Sequence, residues 1–279
     1  MKHCWLRPVL LAIALMLAPA TVSACGPDSD CLVEGGEYRI RLPDDWNGQE
    51  TVGAIVFLHG YQGSAEKEMS NRALGRMATE LGVALITPNG LRGRWSLPQA
   101  MGAGRDEITF MNAVIDDVVK DHSIDESRIM ASGFSLGGSM VWYLACYMSE
   151  RFAGFAPIAG GFWEPQPETC PSRSPNLVHV HGIKDRTVPI GGRQLRVGLS
   201  QGNVLAGLSM LAEKGQCAGQ TPSRTEDLGL TCETRQSCGG ATIELCLHPG
   251  GHSLRADWIA RAWRTLSVRY GRQDQPAAP

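Results

Sequence analysis

The sequence lacks an excess of charge of either sign. It has 26 lysine and arginine residues against 28 aspartate and glutamate residues, so its formal net charge at pH 7 is −2. The basic residues are scattered and form no polybasic run. A chain with this balance has no electrostatic reason to bind nucleic acid or an anionic membrane surface. We therefore expect neither as a partner.

Low-complexity tracts, internal repeats and long linkers are also absent. The 279 residues suit one large domain, and a hydrophobic share of 43% is enough for a sizeable core. Strand-like and helix-like segments alternate from residue 37 to the end. This alternation predicts a mostly parallel α/β sheet with helices on both faces. In such folds the functional loops lie at the carboxyl ends of the strands.

No apolar run is long enough to cross a bilayer. The longest, "VLLAIALMLA", follows Lys2 and Arg7 and is too short to span a membrane. It leads into "TVSA", which places Val22 and Ala24 at the small-residue positions of a cleavage site. The pattern predicts a secretory signal peptide over residues 1–24 and a mature domain over 25–279.

Cysteine, in contrast, is abundant, with nine residues. Cys4 belongs to the predicted signal peptide, and eight cysteines remain, an even number that suits a paired framework in a secreted protein. "VSAC" also resembles a lipoprotein cleavage box, in which Cys25 would carry a lipid anchor. Lipidation would leave an odd number of cysteines, so we favour a secreted protein, periplasmic or extracellular, over the lipoprotein alternative.

One disulfide follows from a predicted hairpin. "LTCETRQSCGGATIELC" reads as two strands whose turn centres on Gly239, which sets Cys232 opposite Cys246. The remaining cysteines then pair as Cys217 with Cys238, Cys25 with Cys31, and Cys146 with Cys170. The alternative is that some of them are buried free thiols.

The segment "GFSLG", residues 133–137, lies between a predicted strand and a predicted helix. It matches the G-x-S-x-G pattern of a nucleophile elbow in the context that this turn requires. The turn forces Ser135 into an unfavourable backbone conformation, and Gly133 and Gly137 provide room for it. The alternative is that the glycines only allow close packing of strand and helix. We predict that Ser135 is a nucleophile.

A serine hydroxyl needs a base, and this fold orders the triad as serine, acid, histidine. "HVHGIKDRTVP" supplies Asp185 just after a buried strand, and "LHPGGHS" supplies His252 in a glycine-rich loop after the last strand. His248 lies inside that strand and is the weaker candidate. We predict Asp185 as the acid and His252 as the base.

Two backbone N–H groups are expected to stabilise the negative charge that develops during acyl transfer. One is that of Leu136, directly after the nucleophile. The other is that of Tyr61 in "HGYQG", a segment that resembles a His-Gly oxyanion motif, where His59 orders the loop rather than acting as a base.

A metal site is the alternative use of the strand histidines. His179 and His181 share one face of a strand and could bind zinc together with His248. Buried hydrogen bonds explain the pair better, so we expect no metal.

Several segments together resemble a known family. "LHGYQGS", "RIMASGFSLGGSMVWYLAC", "RFAGFAPIAG", "HVHGIKDRTVP" and "LHPGGHS" are similar to the secreted esterases that comprise polyhydroxybutyrate depolymerases and feruloyl esterases. The resemblance covers essentially the whole mature chain. It implies a single α/β-hydrolase domain, carboxylic ester hydrolysis by Ser135, Asp185 and His252, and no cofactor.

The chain departs from that family just after the predicted catalytic histidine. Relatives often carry Trp-Pro just after the catalytic histidine, where this sequence has Leu254 and Arg255. The substrate is therefore left open, as is the oligomeric state. The rival functions are a peptidase or thioesterase on the same triad, and a non-catalytic binding protein of the same fold.

The substrate expectation rests on aromatic residues. Trp95 and Trp163 each follow a strand at the functional edge, and Tyr61 belongs to the oxyanion loop. They predict an open, aromatic-lined cleft for short-chain or hydroxycinnamate-type esters and soluble oligoesters. Each tryptophan could instead only cover core surface.

Overall fold

The computed structural model describes residues 25–98, 104–213, 221–236 and 241–273. The predicted signal peptide, Cys217 and Cys238 lie outside these ranges. The strands are β1 (Cys31–Val33), β2 (Gly36–Arg41), β3 (Val52–Leu58), β4 (Ala84–Pro88), β5 (Ile124–Phe134), β6 (Gly154–Ile158), β7 (Trp163–Glu164), β8 (Leu177–Gly182), β9 (Arg193–Arg196), β10 (Leu199–Gln201), β11 (Ser223–Asp227), β12 (Leu230–Gln236) and β13 (Thr242–His248). The helices are α1 (Ala65–Met69), α2 (Arg72–Leu81), α3 (Glu107–Asp121), α4 (Leu136–Tyr147), α5 (Val204–Glu213) and α6 (Ala256–Gln273), with a 3-10 turn at Ser149–Arg151.

The main sheet has a parallel centre and antiparallel edges. Its strand order in the described chain is β1-β2-β4-β3-β5-β6-β8-β13-β12-β11. The six strands from β4 to β13 in this order run parallel, and the outer strands pair antiparallel. The predicted mostly parallel sheet is therefore confirmed. Its parallel strands bring their carboxyl ends to one edge.

Helices cover both faces of the sheet, as predicted. The alternation along β3 shows this directly: Ala54, Val56 and Leu58 belong to a core cluster with α3 and α4, whereas Ile55 and Phe57 belong to a second cluster with α2 and α6. Successive strand residues point to opposite faces. A continuous apolar run is therefore buried on both sides.

The helical segment between β3 and β4 is divided into two helices, α1 and α2. Ser64 caps α1, its side chain accepting from the Lys67 N–H, and α1 ends at Met69. The Asn71 side chain accepts from the N–H groups of Ala73 and Leu74 and starts α2. Asparagine side chains compete for backbone donors in this way, which the apolar spacing alone does not reveal.

A second small sheet, in the order β7-β10-β9, was not expected. Its strands are short, and β9 is exposed along its whole length. β9 therefore lacks the alternation of buried apolar and exposed polar residues that predicts a strand. β11, which extends the main sheet beyond the predicted hairpin, is exposed throughout and was missed for the same reason.

Three disulfides join described cysteines. Cys232 pairs with Cys246 across β12 and β13, where the two residues are also register partners, as the predicted hairpin requires. Cys25 is bonded to Cys31, and Cys146 to Cys170. Across the described helices, none combines the length and the hydropathy that crossing a bilayer demands.

Candidate active site

Ser135 occupies the sharp turn between β5 and α4. Its backbone has φ 58° and ψ −118°, a conformation that residues with a side chain rarely adopt. The Ser135 N–H donates to the Ile158 carbonyl at 3.0 Å, and its own carbonyl accepts from the Ser139 N–H at 2.8 Å. Holding such a conformation costs on the order of 1–3 kcal/mol, which the surrounding structure must offset.

The glycines of the elbow are needed for space. A Cβ at Gly133 would lie 2.7 Å from the Gly137 carbonyl carbon. A Cβ at Gly137 would overlap the carbonyl oxygens of Leu58 and His59. The turn thus packs against the end of β3 so tightly that only glycine fits at these two positions.

Asp185 and His252 are brought together from two loops. The first follows β8 and the second follows β13. His252 Nδ1 lies 2.7 Å from Asp185 Oδ2, and because a carboxylate oxygen accepts, Nδ1 is the donor. Asp185 Oδ1 accepts from the N–H groups of Thr187 and Val188 at 2.8 and 2.9 Å. The Asp185 side chain is fully buried and that of His252 is 18% exposed, so the ring presents Nε2 as its free acceptor.

His252 contacts the elbow through its ring. The centroids of His252 and Phe134 are 4.6 Å apart, so the imidazole packs on the residue that precedes Ser135. Among the described residues no hydrogen bond joins Ser135 Oγ to His252. Such bonds are often long in the absence of substrate and tighten in the reacting complex.

The loop after β3 approaches Ser135. A Cβ built on Gly60, the residue before Tyr61, would lie 3.6 Å from Ser135 Cβ. The backbone N–H groups of Tyr61 and Leu136 meet no acceptor within the part of the chain that the structure describes. Two unpaired N–H donors on the residues next to Gly60 and Ser135 are compatible with the predicted oxyanion hole.

His59 organises this loop. Gly90 donates its N–H to Nε2 at 2.9 Å, so Nε2 carries no proton and Nδ1 donates to the Gly60 carbonyl at 2.7 Å. Burial lowers the pKa of His59 and keeps it neutral. The Trp95 indole N–H donates to the His59 carbonyl at 2.8 Å. His59 is therefore a structural link between two loops.

The predicted aromatic cleft is only partly present. Trp95 is 1% exposed, and its indole N–H donates to the His59 carbonyl, so the side chain does not line an open surface. Trp163 is 8% exposed and donates its indole N–H to Ser139 Oγ at 3.2 Å. Tyr61, at 52%, is the exposed member of the three. Prediction from position alone overlooked that both indoles find hydrogen-bond partners inside the core.

The structure also shows what holds Tyr61. Arg94 donates to the Tyr61 hydroxyl at 2.8 Å, and its guanidinium lies 5.0 Å from the ring centroid. No sequence pattern signalled this contact, because it joins two loops 33 residues apart.

The strand histidines are bonded to each other instead of converging on a metal position. His179 Nε2 lies 2.9 Å from His181 Nδ1, and His181 Nε2 lies 2.7 Å from the Val188 carbonyl. His248 accepts from the Gly250 N–H at 3.1 Å and packs on Trp258. Within the described residues these three histidines do not gather around one point.

Comparisons with known proteins find similar sequences and similar folds. The phospholipase/carboxylesterase family matches residues 103–199. A probable feruloyl esterase C of Aspergillus terreus is 29% identical over 199 residues, which are 67% of this chain and 70% of the relative. Feruloyl esterase C of Emericella nidulans is 26% identical over 57% of this chain, and the match spans only 58% of that relative. The solved acetyl xylan esterase from Aspergillus awamori shares the fold with a TM-score of 0.59 at 14% identity, over 82% of this chain and 93% of its own.

The fold and the similarity to these esterases together define the class of protein as an esterase of the α/β-hydrolase fold. The chain is a carboxylic ester hydrolase.

Proposed function

We propose that the protein is a serine esterase whose nucleophile is Ser135. In the first half-reaction Ser135 Oγ attacks the ester carbonyl carbon while His252 Nε2 takes the hydroxyl proton. The C–O bond to the alcohol then breaks, and His252 returns the proton to the leaving oxygen. Water attacks the acyl-enzyme in the same way, so acid and Ser135 are released.

Asp185 and the two unpaired N–H groups have defined parts in this cycle. The carboxylate holds His252 with its proton on Nδ1 and stabilises the imidazolium that forms at each step. The N–H groups of Tyr61 and Leu136 receive the oxyanion of both tetrahedral intermediates. The observation that carries the proposal is the strained backbone of Ser135 next to the bonded pair of Asp185 and His252.

The substrate class follows from the relatives and from the site rim. We propose esters with short or hydroxycinnamate-type acyl groups, including soluble oligoesters. The names of the matched relatives, feruloyl esterases, support the aromatic acyl group. The Tyr61 ring, fixed by Arg94, offers an exposed apolar face beside the oxyanion position.

We also propose secretion with cleavage after residue 24 and an enzyme domain over residues 25–279. The bond between Cys25 and Cys31 supports a soluble product, because a sulfur in a disulfide cannot carry a lipid thioether. Mass measurement of the mature N-terminus separates the two cases: a lipid-modified Cys25 contradicts secretion in soluble form.

A labelling and hydrolysis experiment tests the reaction. A fluorophosphonate should modify the wild type and fail on Ser135→Ala, whereas Ser132→Ala, which removes a buried hydroxyl on the preceding strand β5, should still be labelled. The hydrolysis panel contains short-chain and long-chain nitrophenyl esters, methyl ferulate, an acetylated sugar and a hydroxybutyrate oligomer. Normal turnover by Ser135→Ala would disprove the mechanism, and preference for long acyl chains would disprove the substrate class.

A further inference from the structure

A second histidine closes the loop that carries Asp185. His181 lies near the carboxyl end of β8 and is completely buried. Its Nε2 lies 2.7 Å from the carbonyl oxygen of Val188. Because a carbonyl can only accept, Nε2 carries the proton and donates. The bond ties the end of the loop back to the strand from which the loop starts.

Val188 is thereby held at both ends of its backbone. His181 binds its carbonyl, and Asp185 Oδ1 binds its N–H at 2.9 Å. The same His181 Nε2 lies 3.7 Å from Asp185 Oδ2, the oxygen that accepts from His252. This is too long for a hydrogen bond, so the carboxylate is a close neighbour of the imidazole and not its acceptor. His181 therefore lies directly behind the pair that activates Ser135.

His179 determines which nitrogen of His181 carries the proton. With the His181 proton on Nε2, its Nδ1 is an acceptor, so the His179 Nε2 at 2.9 Å must be the donor. His179 is fully buried, and its ring makes an edge contact with Trp142 at 5.2 Å. The chain from His179 through His181 to Val188 thus fixes a single tautomer at each step.

Both histidines are kept neutral by their surroundings. Burial is the main cause that lowers the pKa of His179, and the neighbouring His181 adds to it. Burial also lowers the pKa of His181, against the opposite effect of Asp185. His252 and His248, the other titratable groups that face His181, lower its pKa further. A positive charge on His181 would instead offset the charge of Asp185.

We propose that His181 is a positioning residue for the acid loop, the segment after β8 that contains Asp185 and Val188. As a neutral donor it holds Val188, and through Val188 it orients Asp185 toward His252. His179 maintains the tautomer that this requires. The inference rests on the proposed function, because it assigns His181 a role behind the proposed acid and base.

Three variants separate positioning from general stability. His181→Phe keeps a ring but removes the donor, and misplacement of Asp185 should lower kcat by about 100-fold with little change in KM and a shifted acid limb of the pH profile. His181→Gln places an amide near the lost Nε2 and should keep most of the wild-type kcat. Val180→Ala is the control: it weakens the same strand on the opposite face, in the cluster with α6, and should leave kcat and the pH profile unchanged.

The contradicting results are equally specific. A folded His181→Phe enzyme with wild-type kcat and pH profile overturns the proposal. So does an equal loss of kcat in Val180→Ala, because the effect would then be general destabilisation.

A measurement on the unmodified protein decides the matter if His181→Phe does not fold. ¹⁵N NMR of labelled histidine in the wild type at about pH 7.5 should show His181 neutral, with its proton on Nε2. An imidazolium, or a proton on Nδ1, overturns the proposal.

Fluorophosphonate labelling of the same sample tests the proposed function independently. An unlabelled protein with the expected His181 tautomer would contradict the proposed esterase and leave the His181 assignment intact.

Discussion

At the scale of single residues, the elbow shows how much a site depends on missing side chains. Ser135 adopts its positive φ because Gly133 and Gly137 leave space against β3. Gly75, in the middle of α2, has no such role. A Cβ there would meet only the Arg41 side chain at 3.8 Å, an ordinary contact distance.

Replacement by alanine should therefore have opposite effects on stability at Gly137 and at Gly75. Gly137→Ala forces overlap with backbone oxygens and should cost about 1–3 kcal/mol or more of unfolding free energy, with loss of activity. Gly75→Ala should increase the unfolding free energy by about 0.5–1 kcal/mol, because alanine favours a helix interior. Urea unfolding measures both. A Gly137→Ala enzyme as stable and active as the wild type would contradict the described packing.

Asp185 should be more important for its charge than for its shape. Asp185→Asn is nearly isosteric, but its amide can donate to His252 and favour the wrong tautomer. If Asp185 is the acid of the proposed triad, the serine-hydrolase precedent gives a fall in kcat of about 10⁴-fold. The control is Asp257→Asn, which removes an exposed carboxylate paired with Arg255. A small effect of Asp185→Asn would show that another group orients His252.

At the scale of elements, the hairpin of β12 and β13 places the following loop, with His252, beside Asp185. β13 pairs in parallel with β8, which carries His179 and His181, and antiparallel with β12. The disulfide between Cys232 and Cys246 bridges β12 and β13 at facing positions, on the side away from β8. Parallel pairing with β8 alone keeps the carboxyl end of β13 beside the acid loop.

Removing this disulfide should reduce stability without changing the chemistry. The double variant Cys232→Ala/Cys246→Ala opens a loop with a sequence separation of 14 residues. The chain-entropy argument gives a loss of about 3 kcal/mol. Activity per folded molecule, counted by fluorophosphonate titration, should stay unchanged. If kcat per labelled site falls as well, the hairpin contributes to the geometry of His252.

At the scale of the whole molecule, the buried histidines couple folding to pH. Burial lowers the pKa of His59, His179 and His181 in the folded protein. Unfolded histidine binds a proton below about pH 6.5, so below that pH the unfolded chain binds more protons than the folded chain. Their contribution is complete above about pH 6.5 and is lost as the pH falls, by at most about 1.4 kcal/mol per unit for each residue.

Two glutamates act in the opposite direction. Burial raises the pKa of Glu68 and Glu107, so the folded protein holds their protons more firmly and their effect favours acidic pH. Burial lowers the pKa of His248 as well, so four histidines act against two glutamates. Urea unfolding should therefore show lower stability at about pH 5.5 than at about pH 7.5. Glu68→Gln removes one opposing group and should steepen this loss. Greater stability at the acidic pH would contradict the prediction.

The sequence by itself determined the local turns and the order in which the candidate serine, acid and histidine follow one another. The elbow at Ser135 was predictable because its geometry needs glycines within two residues. The alternation of strands and helices predicted the parallel sheet, which places the loops of Asp185 and His252 at one edge. The register of Cys232 with Cys246 was likewise predictable, because it depends on one short hairpin.

Only the tertiary structure decided how side chains from distant segments share the interior. Burial of Trp95 and Trp163, the hold of Arg94 on Tyr61 and the link from His179 through His181 to Val188 all depend on which loops meet. A histidine or tryptophan carries the same letter whether its polar atom faces solvent or a carbonyl. Its partner is set by packing between elements far apart in sequence, which no local pattern records.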